Sequence, residues 1–145
     1  MTAATRDRVL LLLALAVGVA GWWGTAVMVD RREAWDAPEY FQFALPVTGV
    51  LLALFGYLGS RDAWRWPLLV FGAQLATMTA RNGEVGSLFP LGALLFLFLA
   101  GLGLLPTYLG VAVRRTRQKR QAARFAAEAR RASFEAPAGV DEPRS

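Results

Sequence analysis

Gln74, Thr77 and Arg81 are spaced three and four residues apart, so on a helix they share one face that climbs from an amide through a hydroxyl to a guanidinium. Gln42 falls at the same depth in the preceding apolar segment, and Glu84 follows Arg81 by less than one turn. Together they are the constellation whose residue types suggest a ligand: a shallow outward pocket offering amide and guanidinium donors to an anionic or polar small molecule. The bland alternative is structural. In it, Gln74 and Thr77 hydrogen-bond between helices, while Arg81 pairs with Glu84 or with a carboxylate of segment 30–39. Nothing else in the chain is equipped for catalysis. Histidine and cysteine are both absent, which removes the ordinary nucleophile–base pairs, haem ligands, zinc sites and thiol chemistry. All eleven carboxylates lie outside the apolar stretches, and no glycine-rich phosphate loop is present. The expectation is a protein with no enzyme activity, no cofactor and no metal, leaving binding, scaffolding or passive conduction. Ion-coupled transport fits poorly, because a coupling charge must be held by an ionisable or strongly polar group at bilayer depth.

The elements that position these residues are apolar runs. Hydrophobic residues make up 55% of the chain and charged residues 19%, with the charges gathered in short islands, the composition of a membrane protein. The longest run, 88–113, has 26 residues and stops at Arg114-Arg115-Thr116-Arg117-Gln118-Lys119-Arg120. As a helix it measures about 39 Å, enough to cross a hydrocarbon core of roughly 30 Å with tilt. Three further spans are expected at 9–29, 40–59 and 66–80. The second must contain Pro46, which cannot donate to the carbonyl of Gln42 and should kink the helix near Tyr40. The third is the shortest and most polar, and needs neighbours. Two four-residue series of small side chains, Ala16/Ala20/Gly24 and Gly72/Ala76/Ala80, mark stripes where a neighbouring helix could approach closely. A rival reading of the first run is a secretory signal, with Arg6 and Arg8 as its charged start and Gly24-Thr25-Ala26 as a cleavage site. The run is longer than a signal core, however, and carries Trp22-Trp23 beside the cut, where an interface anchor belongs.

The fold class expected is all-α: an integral membrane bundle of four transmembrane helices running up-down-up-down, with a basic cytoplasmic helical extension. Residues 1–8 form a cytoplasmic head, 9–113 the transmembrane domain, 114–134 the basic helix and 135–145 a disordered tail. Thirteen of the sixteen basic residues fall on the side of the termini, against Arg31, Arg32 and Arg81 on the other, so both termini are expected in the cytoplasm of a bacterial-type plasma membrane. The net charge of +5 invites a nucleic-acid reading, but the basic residues follow directly on a span. Arg114, Arg115, Arg117, Lys119 and Arg120 are therefore assigned to anionic lipid headgroups, with no nucleic-acid partner expected. The function this implies is an accessory or scaffold subunit that binds other membrane proteins or itself, the alternative being a homo-oligomeric transporter or channel.

Overall fold

The computed structural model describes residues 2–28, 38–59, 62–82 and 89–135, and every element among them is helical. Helix α1 spans Ala3–Met28; α2 opens as a wide turn over Tyr40–Ala44 and continues over Leu45–Leu58; α3 spans Arg65–Asn82; α4 spans Phe89–Glu135. Three of them, α1, α2 and α4, are long and apolar enough to cross a membrane. Helix α3 has only 18 residues, with arginine near both ends and three polar residues between.

Helix α1 begins earlier than the polar head suggests, because Thr2 caps it. Its hydroxyl accepts the Thr5 N–H at 3.2 Å and its carbonyl accepts the Arg6 N–H at 3.1 Å, so residues counted as a loose head join the helix. In α2 the break at Pro46 takes a defined form. The Leu45 N–H reaches back five residues to the Tyr40 carbonyl, and the proline sits immediately after this wide turn. The carbonyls of Phe41 and Gln42 thus both lose their ordinary α-helical donors, one to the register shift and one to the missing proline N–H.

Chain direction follows from which residues meet. Asp7 lies against Arg65, Gly18 against Val70 and Ala73, Gly21 against Gln74 and Trp23 against Arg81, so α1 and α3 run parallel. Leu52 meets Gly103, Gly56 meets Thr107, and Ala53 and Tyr57 meet Gly110, so α2 runs parallel to α4. Tyr40 lies beside Trp22 and Gln74 while Phe55 packs on Trp66, which sets the second pair antiparallel to the first. At Gly56 and Gly110 the α2 and α4 backbones touch: a Cβ on either would collide with the carbonyl of Thr107 or Ala53. Only glycine permits that approach.

The two small-residue stripes do not pack inside the bundle. Ala16, Ala20, Ala76 and Ala80 are exposed, and open space lies where a Cβ on Gly24 or Gly72 would sit. The reason is helix rotation. Leu10, Ala14, Gly18 and Trp22 form the buried row of α1, and Trp66, Val70, Gln74 and Met78 that of α3. Each stripe lies two residues from its buried row, about 200° round the helix, and so faces outward. The large side chains decide which face turns in.

The chain divides into two compact units, Met1–Ala112 and Val113–Ser145. The described part of the second is the remainder of α4, in which every side chain from Arg115 to Phe134 is exposed. Its Ala, Arg and Gln content favours helix without tertiary support. The tail expected to be disordered lies outside the described residues, apart from the helical Glu135.

Candidate functional site

The polar groups of the first unit converge on one buried node. Tyr40, the first residue of the wide turn, points inward while Phe41, Gln42 and Phe43 face out. Its hydroxyl donates to Gln74 Oε1 at 2.5 Å, joining α2 to α3. Gln74 is only 1% exposed. Gly21 of α1 makes room for the amide, since a Cβ there would come to 3.2 Å from Gln74 Nε2 and 4.0 Å from the Thr48 hydroxyl. Thr48 donates to the Ala44 carbonyl at 2.7 Å and Thr25 to the Gly21 carbonyl at 2.8 Å, so both hydroxyls satisfy backbone acceptors on their own helices. Aromatic rings close the node. Trp22 meets Tyr40 edge-on at 6.3 Å and Phe96 of α4 at 5.7 Å, so all four helices contribute. Such contacts are worth about 0.5–1.5 kcal/mol each beyond their area.

This arrangement corrects the pocket expected from the sequence. Gln74 is turned into the bundle and is not available to an outward ligand, because the phenol at the same depth gives its amide an interior partner. Gln42 is exposed, and the half-buried Thr77 donates to the Ala73 carbonyl at 2.7 Å. Arg81 is exposed, with its guanidinium 5.7 Å from the Trp23 ring centroid. Among the described residues no hydrogen bond joins Gln42, Gln74, Thr77 and Arg81, and Glu84 lies outside the described residues. A neutral phenol–amide pair has neither a nucleophile nor a base. What it can do is fix the register of α2 against α3, since a buried polar group left unpartnered is costly.

The opposite end of the bundle holds an ion pair that the sequence reading missed. Arg65 Nη2 donates to Asp7 Oδ2 at 3.2 Å, tying the start of α3 to the start of α1, and the guanidinium carbon lies 4.5 Å from the Trp66 ring centroid. Both side chains are partly exposed, so the pair contributes no more than about 1 kcal/mol. Arg114, Arg115, Arg117, Lys119 and Arg120 fall within two turns of α4, all exposed except the half-buried Arg114. No group of metal-binding side chains occurs among the described residues. Compared with models of protein families, with curated proteins and with solved structures, the chain finds no match.

Proposed function

We propose that this chain is a four-span protein of the plasma membrane, with both termini in the cytoplasm, that works without catalysis as an accessory or scaffold subunit for another membrane protein. The observation that carries the reading is a division of labour between faces. Tyr40 and Gln74 are engaged with one another and Thr48 and Thr77 with the backbone of their own helices, while α1 and α3 present outward rows of small side chains at Ala16/Ala20 and Ala76/Ala80. Small residues let a second backbone come close, which is where membrane helices gain packing energy. The excess of basic residues on the side of the termini supports the orientation, and the run Arg114–Arg120 supports contact with anionic headgroups at roughly 1 kcal/mol per charge near the surface.

The test is site-specific photocrosslinking in the native membrane from Ala20 and Ala76, with the buried Ala14 as control. The reading expects one heterologous adduct of defined mass from the outward positions and none from Ala14. Adducts to lipid alone would refute it. Solute flux in proteoliposomes that vanished with Arg81→Ala would favour a transporter instead.

A further inference from the structure

We propose that the groove between α3 and α4 holds one acyl chain of a phospholipid from the cytoplasmic leaflet, with the phosphate of that lipid at Arg65. The inference rests on the membrane-spanning orientation proposed above. The groove has a volume of about 250 Å³ and is lined on α3 by Leu68, Gly72 and Leu75 and on α4 by Ala93, Leu97 and Ala100. It exists because small side chains line this outer seam between the two helices: Gly72 has no atom near its missing Cβ, and Ala93 and Ala100 line the α4 side. Its lining is hydrocarbon, so it selects hydrocarbon.

Depth and charge identify the occupant. Leu68 lies three residues beyond Arg65 and Leu75 ten, so the groove runs from about 4.5 to about 15 Å above the arginine. That is the depth of one leaflet of a core roughly 30 Å thick. It is the reach of a single acyl chain. Three residues before Leu68 on α3 stands a cation beside an exposed tryptophan: Trp64 is exposed, and Arg65 is 31% exposed. Arg65 gives Asp7 only Nη2, and among the described residues Nη1 makes no hydrogen bond, so one arm of the guanidinium fork is left for a phosphate oxygen. Among the described residues, the neighbouring charges on this end are Arg6 and Arg8, which are cationic, and Asp7 and Asp62, which are anionic. With Arg65 the balance is three positive to two negative, which favours an anionic lipid.

The full-length protein is reconstituted in vesicles of equal phosphatidylglycerol and phosphatidylcholine, with a photoreactive diazirine on the acyl chain of one lipid or the other. Label is then mapped by peptide mass spectrometry. The expected result is label concentrated on 68–75 and 93–100, stronger from phosphatidylglycerol, and reduced about tenfold by Gly72→Phe, whose ring fills the groove. Gly24→Phe, also placed in open space, leaves the pattern unchanged. Arg65→Gln removes the preference between the two lipids. Uniform labelling of all outward faces, or a Gly72→Phe variant labelled like the parent, overturns the proposal. So does a Gly72→Phe variant that loses self-association, which would make a second copy the occupant. If carbonate washing strips the protein from the vesicles, the membrane reading falls and takes this one with it. If the protein is retained and the labelling is uniform, only the lipid site falls.

Discussion

Replacing Tyr40 by phenylalanine removes one oxygen from the interior, and the cost can be worked out from its surroundings. The hydroxyl donates to Gln74 Oε1 at 2.5 Å, at the short end for an O–H···O bond. Hydrogen bonds between membrane helices average about 0.6 kcal/mol and reach about 1.7 kcal/mol. An amide oxygen left buried without a donor costs about 1–3 kcal/mol. Because Gln74 is almost wholly enclosed, Tyr40→Phe should destabilise the bundle by about 1–2 kcal/mol. Gln74→Leu should do the same by orphaning the phenol. The double variant leaves no orphan, so its cost should fall short of the sum of the singles by about 1 kcal/mol. The assay is equilibrium unfolding in bicelles, applied to all four members of the cycle. Two single variants within about 0.5 kcal/mol of the parent, or a strictly additive double, would refute the reasoning that this pair fastens the helices.

Gly56→Leu and Gly110→Leu should each lower stability by about 2 kcal/mol or more, since their Cβ atoms meet backbone carbonyls that cannot step aside. Gly101→Leu, set in open space, should stay within about 0.5 kcal/mol in the same unfolding assay. Asp62 holds a left-handed backbone with φ of 52° between α2 and α3. Asp62→Asn should be nearly neutral, whereas Asp62→Val should cost about 1–2 kcal/mol by thermal melting. Asp7→Asn should cost no more than about 1 kcal/mol, and the loss should shrink at high salt, when melts are compared at low and high ionic strength.

The helices were legible in the sequence because long apolar runs bounded by charges leave little choice, as 88–113 with its arginine stop shows. Their rotation was not. A repeat of small residues every fourth position draws a stripe on any helix, but the stripe faces wherever the bulkier row leaves it. Trp22 and Trp66 turned Ala16/Ala20 and Gly72/Ala76/Ala80 outward, while Gly18, Gly56 and Gly110 made the contacts. The node around Gln74 was half legible: the residue stood out as polar at depth, but nothing in the sequence marks Tyr40, 34 positions away, as its partner. Only the wide turn before Pro46 shows that its ring points in. The Asp7–Arg65 pair joins residues 58 positions apart, and nothing local signals it.

The central claim is that the chain crosses the bilayer four times, with α3 spanning despite its shorter and more polar run. The parent has no cysteine, so single-cysteine variants can be read without background. Thr2→Cys, Ala34→Cys, Ala63→Cys, Ser87→Cys and Ser133→Cys are treated in intact cells with a membrane-impermeant maleimide. Four spans predict labelling at 34 and 87, with 2, 63 and 133 labelled only after lysis. Labelling of 2 and 133 from opposite sides would leave an odd number of crossings and contradict the account.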